Sequence, residues 1–229
     1  MHECTENPPA LFDPNGLLRR GVKSTLVKVI LEETQIDTSK CLPDDEKSTA
    51  VVVDAMHMVR KWSFLSNENF DDVQARYRRN LCLDTPVGTG SVHFICDRYD
   101  CEPSLKAMER QHRASTKYQK IFEIDAHVPT PPFKDFVNHS QNKARLLEFL
   151  CMSWSNARDL GNIKLLLSGG FSDKRTTLLV DQHATNNIVE LESNHEEADT
   201  QVILDILYSF EYMQAERAWL CLAMTHMSL

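Results

Sequence analysis

Two short, largely apolar runs that each end at an aspartate constrain the fold of this chain most. Residues 50–53 are Ala-Val-Val-Val and lead into Asp54, and residues 92–96 are Val-His-Phe-Ile-Cys and lead into Asp97. Runs of this kind predict buried strands, because a strand that is covered on both faces carries apolar residues at nearly every position. Each of these two predicted strands therefore ends at a carboxylate.

Segments with helical spacing of apolar residues alternate with the predicted strands. We predict helices over residues 17–33, 69–83, 104–115, 143–157 and 196–210, and further strands over residues 163–167 and 177–180. In the last helix we predict that five apolar residues face inward, namely Val202, Ile203, Ile206, Leu207 and Phe210. Alternating strands and helices predict an α/β fold with three layers, a mainly parallel central sheet with helices on both faces.

A polar stretch over residues 37–49 marks the expected domain boundary. It divides the chain into an N-terminal extension, residues 1–48, with one helix and a polar linker, and an α/β domain, residues 49–229. This division leaves all of the predicted strands in one domain.

The cysteines and the net charge narrow the class of protein. The seven cysteines are scattered and form no Cys-x-x-Cys pair, which indicates free thiols in a reducing compartment and argues against a structural zinc site. We therefore expect an intracellular protein of the nucleus or cytoplasm. No run approaches the ~20 apolar residues of a membrane span, so no membrane association is expected. The net charge of −8 argues against a broad, non-specific surface for nucleic acid.

Acidic residues from three segments form a candidate metal site. In parallel sheets ligands bind beyond the carboxyl ends of the strands, where Asp54 and Asp97 are predicted to lie. Glu197 and Asp199 stand near the start of the last predicted helix. Gathered carboxylates repel one another, and a hard cation such as Mg²⁺ or Mn²⁺ offsets their charge. The predicted metal ligands are Asp54, Asp97, Glu197 and Asp199.

A structural role is the alternative for each of these acids. An aspartate after a strand is often a turn residue or a helix cap. Ser193 and Glu196 have the spacing of a capping box, which accounts for Glu196 better than for Glu197 or Asp199. The histidines lack metal-ligand spacing, and no Ser/His/Asp nucleophile can be argued from the order of residues. The Ser-Gly-Gly sequence at residues 168–170 lacks the ending of a phosphate-binding loop and predicts a turn.

A basic stripe is predicted on the helix that follows Asp97. Lys106, Arg110 and Arg113 have i, i+4 and i+7 spacing, so a helix would present all three within a narrow arc. Such a row beside a metal site suits contact with a phosphodiester backbone. The alternative is a solvated helix face on which Glu109 pairs with these cations.

These segments resemble the PIN-like nucleases, particularly their flap-endonuclease or XPG-like branch, and PIN-like proteins of animal genomes, some of them linked to mobile elements. That branch has a strand ending in Asp, then a second strand ending in Asp before a helix with Lys and Arg, then a Glu-Ala-Glu-Ala-Gln segment that opens a helix. The counterparts here are Asp54, then Asp97 with Lys106 and Arg110, then Glu-Ala-Asp-Thr-Gln at residues 197–201. The resemblance covers roughly residues 50–210.

The resemblance implies metal-dependent phosphodiester hydrolysis of nucleic acid, in an active or a degenerate form. The substrate would be DNA or RNA, structured or single-stranded, and the cofactor Mg²⁺ or Mn²⁺. Lys106 and Arg110 would be catalytic residues on the phosphate, with Arg113 extending the nucleic-acid-binding stripe. One alternative is a non-catalytic PIN-like module that binds nucleic acid or protein. Another is a structural interaction domain without metal, in which the acids serve as caps.

The C-terminal segment departs from the family pattern. The family has a further strand after the Glu-Ala-Glu helix, and that strand ends in another acidic pair. Here no Asp follows Asp205 and no Glu follows Glu216. We therefore expect the C-terminal strand to be missing or altered, and the α/β domain to be incomplete at this end.

Overall fold

The two strands that end at aspartates are neighbours within one sheet in a computed structural model of the chain. The structure describes residues 49–97, 120–193, 198–213 and 217–220, apart from residues 84, 86, 87 and 174, with backbone only at residues 83, 198–200 and 217–220. The N-terminal extension, residues 1–48, and the predicted helix over residues 104–115 lie outside the described residues. All described residues belong to one compact unit, Asp44–Leu229.

Six strands form a mixed, mostly parallel sheet. They are β1 (Thr49–Asp54), β2 (Thr89–Ile95), β3 (Lys164–Ser168), β4 (Thr177–Val180), β5 (Thr185–Asn187) and β6 (Arg217–Leu220). Their order across the sheet is β5-β4-β3-β2-β1-β6. The pairs β1–β2, β1–β6 and β2–β3 are parallel, whereas β4 is antiparallel to both β3 and β5. The predicted α/β class and parallel sheet centre are confirmed.

Three of the five described helices lie within a few residues of the helices predicted from the sequence. They are α1 (Ala55–Trp62), α2 (Phe70–Leu83), α3 (Phe133–Val137), α4 (Ser140–Ser155) and α5 (Ala198–Tyr212), with a 3₁₀ turn at Val189–Leu191. The short elements α1, α3 and β5 were not predicted, because each has too few residues to show a clear period. None of the helices in the described part of the chain is long and apolar enough to cross a membrane.

Helices cover both faces of the sheet. Val51 and Val53 point to one face, where they join a large core with α1, α2 and α4. Val52 points to the other face and packs against Val202 of α5. Because successive strand residues alternate between faces, the unbroken apolar run of β1 is the expected sequence of a strand between two layers of helices.

Helix α5 packs with a different face inward from the one predicted. Val202 is buried, but the predicted inward position of three other residues is wrong, since they are 59 %, 57 % and 46 % exposed: Ile203, Leu207 and Phe210. The buried polar residues of this helix are Gln201, Asp205 and Ser209. The sheet presents polar groups to this helix, and polar side chains of α5 are needed to satisfy them.

A strand is present after the last helix, at β6. Its backbone pairs with β1 in parallel register, with Ala50 opposite Ala218 and Val52 opposite Leu220. Of the two alternatives, a missing strand is therefore wrong, and an altered strand without the acidic pair stays a prediction. Apolar residues in the segment that leads from residue 217 to residue 220 allow it to pair beside the buried strand β1.

Candidate metal centre at the carboxyl edge of the sheet

Asp54 and Asp97 lie at the same edge of the sheet, at the carboxyl ends of adjacent parallel strands. Asp54 is the last residue of β1 and stands in register with Ile95, the last residue of β2. Asp97 follows Ile95 by two residues, and both aspartates are half-buried. Two of the four predicted ligands are therefore neighbours at the edge where α/β sheets bind their ligands.

Asp54 caps a helix in addition to facing a second acid. Its Oδ1 accepts a hydrogen bond of 2.7 Å from the backbone N–H of His57, in the first turn of α1. Burial raises the pKa of Asp54 above its ordinary value of 3.8, the hydrogen bond from His57 lowers it, and the charge of Asp97 raises it again, so that the net shift is upward. The capping role is thus confirmed. Burial and Asp97 also disfavour the ionised form, and a bound cation would favour it.

The direction of α5 brings its first turn toward this edge. Asp205 contacts Ser168, the last residue of β3, whereas Ser209, one turn later, contacts His93 in the interior of β2. The helix therefore runs antiparallel to β2 and β3, and its N-terminus points to their carboxyl ends. Val202 packs against Ile95 at the end of β2, so the start of α5 at residue 198 lies about one helical turn from that strand end.

The remaining predicted site residues lie outside the described side chains. The structure gives the backbone of Asp199 in the first turn of α5, and Glu197 precedes that helix outside the described residues. Lys106, Arg110 and Arg113 also lie outside them. Among the side chains that the structure does describe, no group of three His, Cys, Asp or Glu residues is placed to hold a metal ion. The described part of the site is the Asp54–Asp97 pair.

The side chain of Ser193, the predicted N-cap residue, bonds to a side chain further along α5. The Ser193 hydroxyl donates a hydrogen bond to Oε1 of Gln201, within α5. Gln201 in turn donates to the carbonyl of Leu191 at 3.1 Å. These bonds fasten the first turns of α5 to the segment before it, while Glu196 lies outside the described residues.

A buried polar network, which the sequence analysis did not find, joins α5 to the sheet. His93 Nδ1 and Asp205 Oδ2 are 2.9 Å apart, and both side chains are fully buried. Gln201 donates to Asp205 Oδ1 at 2.8 Å, and the Ser168 hydroxyl donates to Asp205 Oδ2 at 3.4 Å. The Ser209 hydroxyl lies 3.0 Å from His93 Nε2. The signal in the sequence was polar residues at i, i+4 and i+8 of α5, opposite a histidine inside an apolar strand.

This network contains a Ser-His-Asp arrangement but lacks the access that a nucleophile needs. Ser209, His93 and Asp205 each have 0 % exposure. The Ser209 hydroxyl donates to the backbone carbonyl of Asp205 at 2.7 Å, one turn back in the same helix. A buried hydroxyl already bonded in this way cannot meet a substrate, so the network is structural and holds α5 against β2 and β3.

Two arginines of α2, Arg76 and Arg78, make structural contacts, whereas Arg79 of the same helix is exposed. Arg76 binds both carboxylate oxygens of Glu68, at 2.6 and 2.7 Å, and donates to the carbonyls of Trp62 and Ser63. Arg78 pairs with Asp159 at 2.9 Å. A half-buried guanidinium with four hydrogen bonds closes the loop between α1 and α2 and is not available to a phosphate.

No protein-family model matches this chain, and neither the curated proteins nor the solved structures include a significant match.

Proposed function

We propose that this chain is a PIN-like, Mg²⁺- or Mn²⁺-dependent phosphodiesterase that acts on nucleic acid. One observation carries the proposal: Asp54 ends β1, Asp97 follows the adjacent parallel strand β2 by two residues, and the charge of Asp97 raises the pKa of Asp54. Burial and the nearby carboxylate of Asp97 disfavour the ionised form of Asp54, and a bound cation would favour it. The same pair is a suitable start for a site that binds a hard divalent ion through oxygen.

The topology supports the same proposal. The resemblance requires the helix that opens with the third acidic segment to be followed by another strand of the sheet. In this chain α5 is followed by β6, which lies beside β1 on the side opposite to β2. The start of α5 also points to the carboxyl edge, which supports the proposal that two acids near the start of this helix, Glu197 and Asp199, join Asp54 and Asp97.

In the proposed site, one set of residues binds the metal ion and a second set positions the phosphate. Asp54, Asp97, Glu197 and Asp199 would hold Mg²⁺ or Mn²⁺. A bound divalent ion supplies an activated water and stabilises the leaving oxygen of a phosphodiester. The basic stripe after Asp97 would position the phosphate, with charge-assisted contacts from Lys106, Arg110 and Arg113.

The second candidate function is a non-catalytic PIN-like module that binds nucleic acid or protein. The observation that favours it is the cap on α1, because the bond from His57 gives Asp54 a sufficient structural reason to be an acid. In that case the fold would be retained without hydrolysis.

A nuclease assay distinguishes these functions. The full chain is incubated with flapped and single-stranded DNA, and with RNA of the same sequence, in Mg²⁺, Mn²⁺ or EDTA. The proposal predicts cleavage that needs a divalent ion and that falls at least a hundredfold in Asp97→Asn. The matched control is Asp135→Asn, which removes an exposed carboxylate from α3 and should leave cleavage unchanged.

Each outcome of this assay has a defined meaning. Metal-dependent cleavage lost in Asp97→Asn but kept in Asp135→Asn supports the nuclease. Binding of the ion without cleavage supports the non-catalytic module. No cleavage and no ion binding by the folded chain contradicts the metal site, and leaves the acids as caps.

A further inference from the structure

Two buried thiols face each other directly behind the candidate metal centre. Cys96 follows β2 and precedes Asp97, and Cys151 lies in α4. Their sulfur atoms are 3.8 Å apart, and the side chains are 4 % and 0 % exposed. Both are free cysteines in this structure. A disulfide has sulfur atoms about 2.0 Å apart, so the two would have to approach by roughly 1.8 Å to form one.

The Ser-Gly-Gly turn after β3 makes room for this pair. Gly169 has a positive φ of 77°, which confirms the predicted turn and explains the first glycine. A Cβ on Gly170 would lie 2.2 Å from Sγ of Cys151 and 3.0 Å from Sγ of Cys96. The backbone of Gly170 therefore packs directly on both sulfur atoms, and only a residue without a side chain fits beside them.

The thiol pair is bonded to the edge of the sheet through its backbone. The N–H of Cys96 donates to the carbonyl of Ser168 at 2.9 Å, just before the glycine turn. Movement of Cys96 toward Cys151 would therefore displace the ends of β2 and β3 together. Burial raises the pKa of Cys96, and the hydrogen bond with Cys151 raises it further.

We propose that Cys96 and Cys151 are an oxidisable pair, which hydrogen peroxide or a similarly small peroxide converts to an intramolecular disulfide at the carboxyl edge of the sheet. The disulfide stands independently of the proposed nuclease function. The proposal rests on the sulfur separation of 3.8 Å, on the burial that excludes larger oxidants, and on the Gly170 backbone that packs against both sulfur atoms.

The chemistry balances with peroxide as the oxidant. One sulfur attacks a peroxide oxygen, the O–O bond breaks, and a sulfenic acid and a water are formed. The second sulfur then attacks the sulfenic sulfur, its S–O bond breaks, and a second water leaves with the proton of the second thiol. Two thiols and one H₂O₂ thus give one disulfide and two waters. A neighbouring thiol at 3.8 Å traps the sulfenic acid before further oxidation.

The test is peptide mapping of the folded chain after exposure to hydrogen peroxide without metal. After alkylation of the remaining thiols, the proposal predicts a cross-linked peptide that joins Cys96 to Cys151 and disappears on treatment with dithiothreitol. Cys82→Ser is the matched control, since Cys82 is a free, partly exposed thiol of the same domain, and it should leave the cross-link intact. Cys151→Ala should abolish the cross-link and drive Cys96 to sulfinic acid.

Several results would overturn the proposal. These are Cys96 recovered as a thiol after the other cysteines have reacted, Cys96 linked mainly to another cysteine, or a cross-link formed only in denaturant. Oxidised glutathione provides a second arm, because a bulky disulfide should react with Cys82 before the buried pair. Cross-linking is measured without nucleic acid or metal, so its failure leaves the nuclease proposal standing, and failure of the nuclease assay leaves this one standing.

Discussion

Replacement of Asp54 separates its capping role from its proposed role as a metal ligand. Asp54→Asn keeps a side-chain oxygen that can accept from the N–H of His57, whereas Asp54→Ala removes the acceptor. Loss of an N-cap costs about 1 kcal/mol. For a domain of this size that difference lowers Tm by roughly 2–4 °C. In metal-free buffer at neutral pH we therefore expect Asp54→Asn to melt above Asp54→Ala by this amount.

Comparison of Asp54→Asn with the natural protein measures the electrostatic contribution of Asp54 to the stability of the fold. Burial and Asp97 raise the pKa of Asp54 in the folded state above 3.8, so the folded chain binds a proton more tightly than the unfolded chain. The stability that protonated Asp54 contributes is complete below the unfolded pKa and is lost as pH rises through the folded pKa. Asp54→Asn lacks this loss, so its stability relative to the natural protein should increase over that pH range.

Chemical denaturation across the acid range, with EDTA present, measures these differences. We expect the metal-free Asp54→Asn chain to be at least as stable as the natural protein at neutral pH. An Asp54→Asn chain as unstable as Asp54→Ala would refute the capping contribution assigned to Asp54. A stability difference from the natural protein that stays constant with pH would refute the electrostatic reasoning.

Three further predictions concern neighbouring features. Asp97→Asn should lower the pKa of Asp54, measured from its side-chain carboxyl resonance by NMR, because it removes a negative charge that raises that pKa. Asp205→Asn should reduce the free energy of unfolding by about 1–3 kcal/mol, because a buried donor loses its acceptor. Gly170→Ala should cost about 1–3 kcal/mol by overpacking, and Cys151→Ala in the same chain should recover part of that loss, since it removes the sulfur 2.2 Å from the new Cβ.

Controls for these variants lie in the same elements. Glu211→Gln changes an exposed acid on α5 and should alter stability by less than about 0.5 kcal/mol. An unchanged pKa of Asp54 in Asp97→Asn would mean that the two carboxylates do not interact. Equal stability of Asp205→Asn and Glu211→Gln would contradict the network, and the absence of any recovery by Cys151→Ala would contradict the assigned contact.

Strands β1 and β2 could be predicted because a strand that is buried on both faces has a simple apolar sequence pattern. The runs before Asp54 and Asp97 are apolar at nearly every position, since helices cover both sides of β1 and β2. The antiparallel β4–β5 edge of the sheet was harder to predict from the sequence. Strand β5 has three residues, two of them exposed asparagines, and carries no apolar period.

The orientation of α5 could not be derived from apolar spacing alone. The spacing of Ile203, Leu207 and Phe210 predicts a buried stripe, yet these side chains are exposed. The helix instead turns Asp205 toward His93, a partner more than a hundred residues away in sequence. A polar side chain becomes a stable part of a core only when its partner is known, and a single sequence does not identify that partner.

The candidate site was predictable in position but not in role. Strand ends in a parallel sheet converge, so the sequence predicted the edge that Asp54 and Asp97 share. The sequence left open whether Asp54 is a helix cap or a metal ligand. The structure shows that Asp54 caps α1, and Asp97 still lies at the same edge of the sheet. Sequence spacing likewise gave no sign that Cys96 and Cys151 meet, because their contact depends on how α4 packs against β2.

The most direct test of the metal centre is a Mn²⁺ titration of thermal stability. An ion that binds only the folded chain should stabilise it by about 2.7 kcal/mol at a hundred times its Kd, a rise in Tm of roughly 5–11 °C. We predict this rise for the natural chain and for Asp135→Asn, and its loss in Asp54→Asn and Asp97→Asn. A natural chain whose Tm does not respond to Mn²⁺, or an equal response in all four proteins, would contradict the proposed metal centre.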